Sequence, residues 1–350
     1  MSNEATPPVD PTVITTVRGR LGHIELNRPR AINALNEEMV HLVDEALRAW
    51  ATDAAVDAVL ITGAGERGLC AGGDIKAVHA AITQGTRGAL DFFSKEYRMN
   101  DLIATYPKPY IAIMDGITMG GGVGISAHGS VRIVSDSTKI AMPETGIGLF
   151  PDVGATYLLA RMPHRIGIYM GLSSESIGAA DAVAYGLADY YVPAERLAEL
   201  QEALAADASE ATVRRFAAEP GAPALAGDLE WIDAAFAHDT AAEVVTALRS
   251  RPEPRAQEAA AAIAAKSPRS VELTLRMIRS AADMDLHDVL ERDLRVALNL
   301  GEHPDLVEGI RAQVIDKDRN PSWNPATLEA VDPAEIDSIL TDEHEQKVFA

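Results

Sequence analysis

Two glycine-rich turns and two carboxylates hold the chemistry this sequence could do. One turn is Ala71-Gly72-Gly73-Asp74, and the other is the run Gly120-Gly121-Gly122, each ahead of an expected helix. Backbone amides at a helix start make a site for negative charge. Two amides aimed at one oxygen stabilise the oxyanion or enolate that forms when a thioester is attacked or deprotonated. Glycine suits such turns because it permits unusual φ and close approach of a ligand. Glu144 follows Pro143, and Asp152 follows Pro151 eight positions later. Carboxylates there can move protons or attack a carbonyl. The expected chemistry is acyl chemistry at a thioester. The plainer reading makes the glycines packing residues and the acids caps. Glu144 lies in an otherwise apolar run, which argues for partial burial, whereas Glu96 on a helix face reads by itself as a solvated charge.

Other chemistries find little support. Nine histidines show no HExxH and no paired spacing for a metal, and no GxSxG is present. His128 reads as a packed or capping residue, and the lone Cys70 as a buried one. Residues 63–68, GAGERG, match the dinucleotide fingerprint after a strand. That fingerprint must open a helix. Leu69-Cys-Ala-Gly-Gly-Asp74 follows instead, so a tight surface turn is expected and a dehydrogenase is the most remote reading.

The elements that must position these residues alternate. A hairpin is expected from Thr12–Thr16 and His23–Leu26, and a helix capped by Asn36 over Glu37–Ala51. Buried strands are expected at Asp57–Thr62, Tyr110–Met114 and Val131–Val134. Helices are expected from about Ile75, over Ala89–Ile103, at Thr156–Arg161, Gly167–Leu172 and Ala179–Leu187, with a short strand at Tyr190–Val192. This alternation predicts an α/β core over 12–193. Residues 1–11 read as a disordered tail and 194–350 as a helical region, including a helix from Ser267 to about Ala281, a Pro-broken loop at 316–325 and a short tail segment.

A formal charge of −21 and a pI near 4.8 argue against nucleic acid and against an anionic membrane surface. They leave room for an anionic small ligand met by local cations and amides. One cysteine forbids an intrachain disulfide and suits a reducing compartment. The start, MSNEATPPVDP, shows no targeting pattern, and no apolar run is long enough to span a bilayer, so the expected location is cytoplasmic.

The segments LNRPRAINALN (26–36), GLCAGGDI (68–75), ITMGGGVGIS (117–126) and AADAVAYGLADYYVP (179–193) together resemble the crotonase, or enoyl-CoA hydratase/isomerase, superfamily. FFSKEYRMN (92–100), MPETGIGLFPDVGATY (142–157) and EGIRAQVIDKDRNPSWNP (308–325) resemble its 3-hydroxyisobutyryl-CoA hydrolase branch. The resemblance implies a spiral of ββα units with a helical C-terminal region completing the pocket. It implies a coenzyme A thioester substrate, no separate cofactor and no metal. It assigns the oxyanion hole to the amides of Gly73 and Gly121, catalysis to Glu144 and Asp152, and substrate contact to Glu96. The backbone of Ala71, Asp74 and Ile75 lies along the coenzyme A, with Arg28 or Arg30 on its phosphates. Hydratases carry a second glutamate as GGGxE, where this chain has Gly124, as the hydrolase branch does. Ala155 and Thr156 depart from the commoner DVGGG-like ending, which bears on acyl-pocket size. The implied activity is hydrolysis of 3-hydroxyisobutyryl-CoA, or a related short β-hydroxyacyl-CoA, to the free acid and coenzyme A, in valine breakdown. Hydration or isomerisation of an enoyl thioester, and acyl-CoA binding without turnover, are the alternatives. Relatives often form homo-oligomers.

Overall fold

A computed structural model describes residues 10–349. Most of the expected tail, residues 1–9, lies outside the described residues. The hairpin forms from β1 (Val13–Arg18) and β2 (Leu21–Leu26), joined by Gly19-Arg20. Gly19 takes φ 62° there, as two-residue hairpin turns demand of a central position. From β2 the sheet continues in parallel through β3 (Ala58–Gly63), β4 (Tyr110–Met114), β6 (Val131–Val134) and β8 (Tyr190–Tyr191). Every residue of β4 is buried, and its continuous apolar run is what a parallel strand covered on both faces requires.

A second, thinner layer explains the spiral. β5 (Ile117–Met119) pairs in parallel with β7 (Lys139–Ala141), and single bridges extend the layer at Leu35–Gly73, Cys70–Thr118 and Ile140–Ile177. Each unit is then one strand of the large sheet, one short stretch of the second layer, and a helix. The helices are α1 (Glu37–Thr52), α2 (Ile75–Thr83) and the short α4 (Gly121–Gly124); α3 (Gly88–Ala104) inserts between the second and third units. The Asn36 side chain accepts the Met39 amide at 2.9 Å and so caps α1.

The spiral of ββα units is therefore present. β5 and β7 were not expected; at three residues each they carry too little period for sequence reading. The expected helix Ala179–Leu187 ends at Ala184, because Gly186 turns at φ 88°. Among the described residues no strand follows β8, and the expected tail segment is a helix, Pro333–Thr341. One continuous hydrophobic core joins residues of the spiral, such as Leu26, Phe93 and Phe150, with Leu275, Leu294 and Ile310 of the helical region.

Candidate active site

Successive turns of the spiral place equivalent residues side by side. Gly73, Gly121 and Glu144 each stand where a second-layer stretch passes into a helix or a 3-10 turn. At the first bridge the Leu35 amide donates to Gly72 O at 2.8 Å and the Asp74 amide to Leu35 O at 2.7 Å. The Gly73 amide between them faces the opposite way. Gly121 opens α4, where first-turn amides have no intrahelical acceptor. Each donor follows a glycine at positive φ, Gly72 at 108° and Gly120 at 51°. A methyl added to Gly121 would stand 3.3 Å from the Gly73 nitrogen, so the two amides border one spot.

Carboxylates crowd that spot. α3 turns Phe93, Glu96, Tyr97 and Asn100 inward on one helical face. Glu96 is 2% exposed, contrary to its plain reading as a solvated charge. A methyl on Gly121 would strike its Oε1, and a methyl on Gly120 would lie 2.7 Å from Glu144 Oε1. Glu96 Oε1 and Glu144 Oε2 are buried without a hydrogen-bond partner. Asp152 is buried as well, and its Oδ2 accepts from the Tyr97 hydroxyl at 2.7 Å. Burial, then the nearby Asp152 charge, pushes both glutamates well above the usual carboxylate range. Burial pushes Asp152 up to about 6, and the Tyr97 bond opposes it.

These groups surround a cavity of about 300 Å³. Ala71, Gly72, Gly73 and Ile75 form one wall; the turn Pro143–Ile147 and the helical region's Lys266, Gln313 and Val314 form another. The C-terminal region grips the Glu144 turn, since the Ser267 amide donates to Thr145 O at 3.1 Å. Lys266 is the one cation in the lining and has no ion pair among the described residues. Burial lowers its pKa.

The remaining expected residues fare differently. Arg28 pairs with Asp74 at 3.0 Å and donates to Ala34 O at 2.6 Å, outside the cavity lining. Asp74 and Arg30 are also outside that lining. The chemistry-bearing residues missed by sequence reading are Tyr97, Lys266 and Asp293, whose buried Oδ2 accepts the Gly154 amide at 2.9 Å; the helical period of α3 could have paired Tyr97 with Glu96. Cys70 is buried and pushed up to about 12 by burial. GAGERG is a turn, as expected. Among the described residues no cluster of three or more His, Cys, Asp or Glu is placed to hold a metal.

Gly124 explains a departure noted in the sequence. A Cβ there would stand 2.7 Å from the Val153 Cβ and 2.9 Å from Asn100 Nδ2. The place of a hydratase's second glutamate is filled. Val153 achieves this at φ 54°, unusual for a β-branched residue and costing on the order of 1–3 kcal/mol.

A spiral of ββα units with two facing amides beside buried carboxylates defines an acyl-CoA enzyme fold, and residues 21–340 match the enoyl-CoA hydratase/isomerase family model. The chain belongs to that family. It is 39% identical to the 3-hydroxyisobutyryl-CoA hydrolase, mitochondrial, of Xenopus tropicalis, over 95% of this chain and 89% of that one. The human protein of the same name is 34% identical over 93% and 87%. A solved structure described as carnitinyl-CoA dehydratase from Mycobacterium thermoresistibile is 45% identical, with TM-score 0.93 over 96% of this chain and 98% of that one. Another, described as an enoyl-CoA hydratase from Rhodobacter sphaeroides, is 40% identical, with TM-score 0.88 over 94% and 97%. Among the described residues no helix is long and apolar enough to cross a membrane.

Proposed function

We propose that the protein hydrolyses 3-hydroxyisobutyryl-CoA, or a closely related short β-hydroxyacyl-CoA, to the free acid and coenzyme A, in valine catabolism. The observation that carries this reading is the combination of Glu144 beside two facing amides with a blocked Gly124. The amides of Gly73 and Gly121 polarise the thioester carbonyl. Glu144, made more basic by its burial, activates water or attacks the carbonyl to give an anhydride that water then opens. The C–S bond breaks and the thiol leaves with a proton. The water oxygen goes to the acid when water attacks the acyl carbon, and to the Glu144 carboxylate when water opens the anhydride there, the acid then carrying the former Glu144 oxygen. Asp152 orients the β-hydroxyl or shuttles the proton, and Glu96 contacts the acyl group. A cavity of about 300 Å³ suits a short acyl thioester and leaves the nucleotide outside. The main chain from Ala71 to Ile75 runs beside the coenzyme A, with Ala71 and Ile75 in the cavity lining and the Asp74 side chain turned to Arg28. Lys266 takes the anionic contact first expected of Arg28 or Arg30, since Arg28 is engaged by Asp74.

The dehydratase and hydratase descriptions of the two similar structures favour a second reading, addition or removal of water at an enoyl thioester. Parallel assays separate the two. Thiol release from 3-hydroxyisobutyryl-CoA is expected, with no loss of enoyl absorbance from crotonyl-CoA; the reverse pattern would overturn the hydrolase reading. Binding without turnover in both assays would leave a carrier. Glu144→Gln is expected to lower kcat by about 10²–10⁴-fold at little change in KM. Label from ¹⁸O-water in the Glu144 carboxylate after one turnover identifies the anhydride route. The single buried cysteine supports a reducing compartment, and we place the protein in the cytoplasm, in contrast to the mitochondrial vertebrate relatives. Activity in the soluble fraction of source cells tests that placement. Light scattering tests for a homo-oligomer.

A further inference from the structure

One peptide unit, between Val153 and Gly154, is clamped at both of its polar atoms. Its carbonyl oxygen lies 2.8 Å from His128 Nε2. Its N–H donates to Asp293 Oδ2 at 2.9 Å. His128 is half-buried, and loss of solvent around the ring lowers its pKa to about 4, so it is neutral and Nε2–H donates. The two clamps come from opposite sides. His128 follows α4, the short helix opened by Gly121, and Asp293 sits on the helix Leu286–Gly301 of the C-terminal region.

The clamp acts on a conformation that would not hold itself. Val153 and Gly154 both have positive φ, 54° and 73°. A β-branched residue left to relax would leave that region. Val153 is the immediate neighbour of Asp152, so rotating the clamped peptide would swing the Asp152 carboxylate away from Tyr97. It would also lift the Val153 side chain off Gly124. Asp293 has no exposed surface, and its Oδ1 has no hydrogen-bond partner. The nearest opposite charge is Arg292, at 3.6 Å, which itself donates to Thr156 Oγ1 at 2.6 Å. A carboxylate so fully buried needs a reason to be there, and the Gly154 amide is the one group it holds by hydrogen bond among the described residues.

We propose that Asp293 is a positioning residue for the reaction: by gripping the Gly154 amide against the His128 bond, it locks the turn that aims Asp152 into the cavity. The proposal rests on the hydrolase reading for its kinetic arm only. Burial holds Asp152 up to about 6 and the Tyr97 bond opposes that rise, so an Asp152 that loses this bond while it stays buried titrates higher. Loss of a neighbouring negative charge alone moves it lower or leaves it in place.

The experiment follows the Asp152 carboxyl by ¹³C NMR in aspartate-labelled protein, assigned with Asp152→Asn. In Asp293→Ala the Asp152 titration is expected to move upward, toward its position in Tyr97→Phe. In Asp293→Asn, which keeps an acceptor for the Gly154 amide, it is expected to stay within about half a pH unit of the unsubstituted protein. Thiol release should fall about tenfold or more in kcat for Asp293→Ala with KM within about twofold, and Asp293→Asn should restore most of it. An unmoved or lowered Asp152 titration in Asp293→Ala overturns the proposal, as does full kcat in that variant. Should Asp293→Ala fail to fold, hydrogen exchange of the Gly154 amide in the unsubstituted protein decides: protection close to the global limit supports the clamp, and fast exchange overturns it. If the unsubstituted protein releases no thiol, the hydrolase reading fails by itself, and the titration and exchange arms still decide the role of Asp293.

Discussion

Asp152 shows how a working residue weakens the fold that holds it. Its pKa stands at 3.8 in a free chain and about 6 in the folded protein. The folded state therefore binds more protons than the unfolded one between those values. Stability from this group falls as pH rises from about 4 through about 6, and the loss is complete above that. Asp152→Asn should raise the melting temperature at pH 8 and leave it unchanged near pH 4. Equal melting temperatures at both pH values would show that Asp152 titrates normally. Thermal unfolding followed by circular dichroism is sufficient. The two carboxylates and both glycine turns were legible in the sequence, because Pro-bounded acids in apolar surroundings and repeated glycines are local signals. Glu96 was legible only through resemblance: its burial depends on which face of α3 meets the spiral. Lys266 and Asp293 carry no local signal at all, since each gains its meaning from a contact more than a hundred residues away.

At the level of elements, the site is a junction of turns. α4 is only four residues long, and its glycines are needed where neighbours come close: Gly122 against the Cys70 backbone and Gly124 against Val153. Gly124→Glu would restore the hydratase pattern in sequence only. The new side chain would strike Val153 and Asn100, and overpacking costs about 1–3 kcal/mol before the buried charge is counted. The variant is expected to unfold at lower denaturant concentration and to show no hydration of crotonyl-CoA. Hydration by a stably folded variant would mean the Val153 turn can yield. The long elements of the fold were readable from period and caps, α1 within one residue at its end. The second layer was not, because its strands are short and its partners come from neighbouring turns of the spiral.

For the whole molecule, the boundary near residue 193 marks a change in composition more than a break in packing. The core cluster runs across it, and Ser267, Lys266 and Asp293 all reach the site from beyond it. A chain ending at residue 193 would expose the faces of Phe150, Val153 and Leu159 that the later helices cover. It is expected to be insoluble, or to lack a cooperative unfolding transition, with no thiol release. A soluble, cooperatively folding fragment would show that the spiral stands alone.

Three buried acids around one small space also imply a proton inventory that changes when the space is filled. Glu96, Glu144 and Asp152 already sit above their ordinary values because water is scarce around them. A ligand that displaces the last water, and carries phosphates of its own, makes charge there costlier still. An unreactive thioether analogue of the substrate should therefore draw protons from solution as it binds near pH 6.5. The heat of binding measured by calorimetry will then differ between buffers of low and high ionisation enthalpy, and the slope counts the protons taken up. A slope of zero would mean that the acids keep their charge when the site closes over its ligand.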